Sequence, residues 1–123
     1  MADGLKIFVD DNRFPSPEYD KTFQGAEFFI KWVKNNPDAK IKKLSLDHDL
    51  EVNYMDGTQL CQKLLTPNSK GQILLPETEY VQFHTNNARG WKNMYKLFRT
   101  AKEKGLIKTE ICPYLVVATD GQD

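Results

Sequence analysis

Lys6-Ile7-Phe8-Val9-Asp10-Asp11 opens as a short buried strand and closes on two carboxylates. Two further stretches repeat the pattern. Leu44-Ser45-Leu46 runs into Asp47-His48-Asp49, and Tyr80-Val81-Gln82-Phe83 runs into His84-Thr85-Asn86-Asn87. The two histidines of the chain both stand at such ends. In an open α/β sheet, ligands bind outside the carboxyl ends of the strands. If the three runs are parallel neighbours, their polar ends share one crevice.

The segments between them support that arrangement. Pro15 and Pro17 forbid a helix directly after Asp11, and Thr22-Phe23 is a candidate second strand. Ala26, Phe29, Ile30 and Val33 follow helical spacing within 25–35, with Phe28 and Trp32 widening the stripe. Ile41 to Leu50 reads as the next strand and Thr58 to Leu65 as a short helix begun at Asp56-Gly57. Ile73 to Leu75 is either a small strand or part of a loop. Glu79 to Phe83 is the third clear strand. Ala88 to Lys104 is the strongest helix, with Trp91, Met94, Tyr95, Phe98 and Ala101 as its apolar stripe and Gly105 at its end. Tyr114 to Val117 reads as the last strand. Strands alternating with helices imply right-handed βαβ units. The expectation is a small three-layer α/β/α sandwich with a mostly parallel sheet, forming a single domain over residues 1–123.

Composition limits the function classes. Apolar residues make up 40% of the chain, which favours a globular fold over disorder. Seventeen basic residues balance seventeen acidic ones, which argues against a broad electrostatic footprint for nucleic acid. No apolar run approaches the roughly 20 residues of a membrane span. The first residues lack the pattern of a secretory signal, so a cytoplasmic setting with no membrane partner is the expectation. Cys61 and Cys112 have no metal-ligand spacing, and Cys61 falls among leucines as a buried thiol.

The acidic pair, Leu46-Asp47, and Met55-Asp56-Gly57 ahead of a helix together resemble the receiver domain of response regulators. The closer resemblance is to a divergent receiver-like family named for cyclic-phosphate processing. Its marks stand here as Asp10-Asp11-Asn12-Arg13-Phe14-Pro15, Leu46-Asp47-His48-Asp49-Leu50, and His84-Thr85-Asn86-Asn87-Ala88-Arg89-Gly90. The resemblance covers Lys6 to about Phe98. It implies a receiver/flavodoxin-like fold, with an acidic pair ending the first strand and Asp47 where receivers carry their phosphoacceptor. It also implies a phosphorylated ligand, such as a nucleotide or RNA end bearing a cyclic phosphate. Ala118 stands after the last expected strand, where receivers carry a lysine that contacts the phosphoryl group.

Asp10, Asp11 and Asp47 are hard oxygen donors that need a cation to stay ionised together. Mg²⁺ is the natural candidate and Mn²⁺, which tolerates imidazole better, a close second. The plainer reading makes Asp11 a turn cap and sends Asp47 or Asp49 to solvent. His48 and His84 fit an acid–base pair near neutral pH, with Asp49 as a further acid–base group. If its strand persists, however, His48 points with Leu44 and Leu46 and is a hydrogen-bonded core residue. Asn86, Asn87 and Arg89 stand where free N–H groups at a helix start favour an anion. Arg13 either clamps phosphate or pairs with an acid. The leading reading is a metal-assisted phosphoesterase or phosphate-binding protein. The alternative is a non-catalytic receiver-type phosphoacceptor that binds a protein partner. Oligomeric state is not legible.

Overall fold

The computed structural model describes residues 4–11, 16–49 and 55–117. Eight elements follow in order: β1 (Leu5–Val9), β2 (Lys21–Phe23), α1 (Ala26–Asn35), β3 (Lys40–Leu46), α2 (Gly57–Leu65), β4 (Glu77–Phe83), α3 (Ala88–Glu103) and β5 (Glu110–Ile111). The strands form one sheet in the order β2-β1-β3-β4-β5, and every neighbouring pair is parallel. The α/β class and the receiver/flavodoxin-like arrangement are as the sequence implies.

Each helix forms around its apolar stripe. α1 buries Ala26, Phe29, Ile30 and Val33. α2 buries Leu60, Cys61, Leu64 and Leu65. α3 buries Met94, Phe98 and Ala101. Spacings of three and four residues put each set on one side of its helix. α2 starts with a capping box: the Asp56 carboxylate accepts the Gln59 N–H at 2.8 Å, and the Gln59 side chain accepts the Asp56 N–H at 2.9 Å. Burial among apolar side chains pushes the Cys61 thiol far above its ordinary range, and the Asp56 charge adds to this. That is the inert buried cysteine its leucine neighbours imply.

The connections from β2 to β3, β3 to β4 and β4 to β5 all step across the sheet in one direction. Right-handed crossovers therefore place α1, α2 and α3 side by side on one face. One core joins Ile7, Val9, Leu44, Leu46, Val81 and Phe83 to all three helices. Strand alternation sends Phe8, Ser45 and Gln82 to the opposite face. There, segment 16–20 lies over β1 and β3. The Tyr19 ring packs on Phe8 at 5.1 Å, and Glu18 pairs with Lys6 and Lys43. Among the described residues, the outer layer on this side is an irregular segment. No helix among them is long and apolar enough to cross a membrane.

Several boundaries differ from those expected. β3 ends at Leu46, because the chain bends through Asp47–Asp49 and the His48 carbonyl accepts the Gly57 N–H at 2.8 Å. Leu50 lies outside the described residues. β5 is at Glu110–Ile111 instead of Tyr114–Val117. Cys112 N–H still donates to the Val81 carbonyl at 2.9 Å, and the chain then leaves the ladder through 113–115. The chain returns at Val116, which forms only an isolated bridge with His84. Ile73 to Leu75 is not a strand; Leu75 donates its N–H to the Leu64 carbonyl at 3.1 Å. Trp91 and Tyr95 stack on each other at 4.9 Å on the flank of the α3 stripe, and both are half-buried. Trp32 stacks against Phe29, but Phe28 is 62% exposed and falls outside the α1 stripe.

Leu44 sits fully buried in the central strand. Leu44→Ala removes its contacts and leaves a cavity under the helices. Urea unfolding is expected to show a loss of about 2–5 kcal/mol with the m-value unchanged.

Candidate functional site

The site is built by strand register. Val9 pairs with Leu46, and Leu46 pairs with Phe83. The next residue on each strand is therefore Asp10, Asp47 and His84, standing in one row at the carboxyl end of the sheet. Backbone bonds fix the level of each. Asp10 N–H donates to the Phe23 carbonyl at 3.0 Å, Asp47 N–H to Val9 at 3.1 Å, and His84 N–H to Leu46 at 2.9 Å. Alternation points all three side chains to the same side as Phe8, Ser45 and Gln82. All three are at least 95% buried.

One ligand atom from each of Asp10, Asp47 and His84 lies within 4.8 Å of the others. Two buried carboxylates this close repel each other, and a cation offsets that repulsion. The donor set of two carboxylate oxygens and an imidazole fits a divalent ion. The expected carboxylate triad is therefore present in two members, with His84 completing the group of three. Asp11 is half-buried at the following bend and is not in this group.

His84 is held from every side. Phe8 stacks on its ring at 4.3 Å with an interplanar angle of 8°. Nε2 lies 3.0 Å from Asp10 Oδ2, and Nδ1 lies 2.6 Å from Ser45 Oγ. Gln82 Nε2 donates to the same Ser45 oxygen at 3.0 Å. A hydroxyl both donates and accepts. With Ser45 donating to Nδ1, Nε2 carries the ring proton and gives it to Asp10. With Ser45 accepting from Nδ1, the Nε2 lone pair is available to a cation, the usual arrangement behind a metal-bound histidine. The Gln82–Ser45–His84–Asp10 chain supports either tautomer. Ser45 and Gln82 are absent from the sequence reading. Their signal was a polar residue inside each apolar run, Leu44-Ser45-Leu46 and Val81-Gln82-Phe83.

The family model of the cyclic-phosphate processing receiver domain matches residues 5–100. The chain belongs to that family. Comparisons with curated proteins and with solved structures returned no match. Among the described residues of this receiver domain, the buried Asp10–Asp47–His84 group could hold a metal ion.

The other expected site residues lie around this group or outside the described residues. His48 turns away from His84, toward α2 and α3. Its Nδ1 is 3.1 Å from Asp49 Oδ1, and its Nε2 is 3.7 Å from Asp56 Oδ2. Two glycines make room for it. A Cβ on Gly57 would lie 2.5 Å from the Asp47 carbonyl and 2.7 Å from both His48 Cα and Met94 Sδ. A Cβ on Gly90 would overlap the His48 ring itself. The glycine that closes the His84–Gly90 stretch is thus the seat of the other histidine. Asp49 is exposed, and its carboxylate lies 3.3 Å from Asn87 Nδ2. Asn87 caps α3, its Oδ1 accepting the Gly90 N–H at 2.8 Å. Asn86 and Arg89 are exposed at the same helix start. Arg13 and Ala118 lie outside the described residues.

Ser45→Ala removes the partner of His84 Nδ1. Mn²⁺ affinity, followed by water-proton relaxation, is expected to fall about 10–100-fold. An unchanged affinity would remove Ser45 from the metal's outer shell. Gly90→Ala pushes the His48 ring off α3. Histidine ring NMR signals should then shift for His48 and stay in place for His84, with stability lowered by about 1–3 kcal/mol.

Proposed function

We propose that this chain is a metal-assisted phosphoesterase, or a binder of the same ligand, acting on a phosphorylated nucleotide or RNA end that bears a cyclic phosphate. One observation carries the reading: two buried carboxylates and a buried imidazole converge in a member of the cyclic-phosphate processing receiver family. Mg²⁺ or Mn²⁺ is the cation that such oxygen-rich sites take. When bound, it supplies positive charge to the phosphoryl oxygens.

The chain's own residues then divide the remaining tasks. Asp10, Asp47 and the neighbouring Asp11 keep the site anionic and cation-selective. His84, in the tautomer with a proton on Nε2, has that proton to give to a leaving ribose oxygen. In the other tautomer it is a ligand; the two roles exclude each other in a given step. Asp49, hydrogen-bonded to the His48 ring, is the second acid–base group and can take a proton from water. The first N–H groups of α3, with Asn86, Asn87, Arg89 and Arg13, hold phosphate oxygens.

A second reading belongs to another class. Asp47 directly follows β3, at the strand end where receivers carry their phosphoacceptor. A receiver-type module would accept a phosphoryl group there and present a changed surface to a protein partner.

Incubation with 2′,3′-cyclic nucleotides and Mg²⁺ or Mn²⁺ separates the two. The esterase predicts turnover that falls about 10²–10⁴-fold in His84→Ala and loses its metal dependence in Asp47→Asn. Turnover unaffected by both substitutions would refute this assignment of roles. A mass increase of one phosphoryl group from a small phosphodonor, without turnover, would favour the receiver reading.

A further inference from the structure

Among the described residues, the Ser45 hydroxyl has two hydrogen-bond partners, both side chains: His84 Nδ1 at 2.6 Å and Gln82 Nε2 at 3.0 Å. Ser45 is fully buried, so solvent does not complete its bonding. A hydroxyl has one proton to give and two lone pairs to accept with. A buried donor left without an acceptor is costly. The Gln82 amide meets the hydroxyl with its Nε2 end, which only donates. The Ser45 proton therefore goes to His84 Nδ1. The ring proton then stands on Nε2, 3.0 Å from Asp10 Oδ2.

The contact lengths agree. Hydroxyl donors make the shorter hydrogen bonds, roughly 2.5–3.0 Å to oxygen, and N–H donors the longer, roughly 2.7–3.2 Å. At 2.6 Å, the Ser45–His84 contact is of the hydroxyl-donor kind. The two contacts of 3.0 Å fit N–H donors, one on the Gln82 amide and one on His84 Nε2. Turning the amide end for end reverses every donor. With Oε1 toward Ser45, the hydroxyl donates to the amide and accepts from Nδ1, and Nε2 presents a lone pair to the group.

We propose that Gln82 is a positioning residue that, through Ser45, selects whether His84 is a hydrogen-bond donor or a metal ligand, and so sets the class of divalent ion taken by the Asp10–Asp47–His84 group. With Nε2 protonated, Asp10 and Asp47 offer oxygen alone, a set suited to Mg²⁺. With a lone pair on Nε2, the imidazole adds a ligand suited to Zn²⁺ and other transition ions. The orientation of Gln82 in this structure is the first. The inference rests on the metal reading of that group and not on the phosphoester reaction.

The test replaces the two-ended amide by side chains with one capability each. An ionised Gln82→Glu only accepts, and Gln82→Lys only donates. Gln82 is half-buried, which lets either charge reach water. Ring nitrogen NMR of the full chain, at neutral pH with Mg²⁺, reads whether His84 Nδ1 carries a proton; His48 is the internal control. Nδ1 is expected to be bare in the unsubstituted chain and in Gln82→Lys, and protonated in Gln82→Glu. Titrations with Zn²⁺ and with Mg²⁺ give the ratio of their affinities, from which the effect of the introduced charge largely cancels. Binding that persists in Asp47→Asn is subtracted as belonging to other positions. The Zn²⁺-to-Mg²⁺ ratio is expected to rise about tenfold or more in Gln82→Glu and to stay near its original value in Gln82→Lys. A protonated Nδ1 in the unsubstituted chain, the same Nδ1 state in both variants, or one ratio for all three proteins would overturn the proposal. If neither ion binds while Nδ1 responds as expected, the metal reading falls and the control of His84 by Gln82 stands.

Discussion

The pairing of Val9 with Leu46 and of Leu46 with Phe83 is the constraint on which this molecule depends. It sets Asp10, Asp47 and His84 in one row although they are far apart in the chain. A slip of one residue on any of the three strands would reverse its side chains between the two faces of the sheet. The core prevents that slip. Val9, Leu46 and Phe83 are each fully buried on the helical side, so the same alternation that hides them there presents the next residue on the other side. The energy that holds the register is apolar burial, and the chemistry at the strand ends inherits its position from it.

The sheet also separates the two histidines. His84 belongs to the face of Phe8, Ser45 and Gln82, and it enters a buried polar chain that ends on Asp10. His48 lies just past a strand end and belongs to the helical side, packed on the backbone of α2 and α3. Their environments differ accordingly. One imidazole is fully enclosed and hydrogen-bonded at both nitrogens. The other is half-buried, beside Asp49 and Asp56 carboxylates at the edge of an open hollow. His84 stands in the central buried group, and His48 stands outside it on the helical side.

A polar chain buried this deeply is costly unless every member is satisfied. Gln82, Ser45, His84 and Asp10 satisfy one another, and the Phe8 ring closes the chain from the β1 side. Strand burial keeps the group dry, which strengthens its electrostatics, and the Asp10, Asp47 and His84 side chains keep it polar. Segment 16–20 completes the cover over β1, with Tyr19 on Phe8 and Glu18 tying Lys6 to Lys43.

Much of this was legible without coordinates. Apolar runs that end in acids and histidines announced parallel strands and a crevice at their carboxyl ends. Helical spacing located α1, α2 and α3, and Asp56-Gly57 announced the start of α2. These are properties of neighbouring residues, and local sequence carries them. Ser45 and Gln82 could not be assigned partners, because Ser45 meets both Gln82 and His84 only across the boundary between β3 and β4. The seat of His48 on Gly57 and Gly90 was equally hidden, since neither glycine is near it in the chain. The departure of the chain from β4 at 113–115 was hidden too, because pairing depends on what lies opposite. The sequence by itself determined the candidate polar residues and most of the strand and helix segments, because propensity and periodicity are local. Only the tertiary structure decided which of those residues share a face, because register and crossover handedness are settled by burying the apolar side of the whole sheet at once.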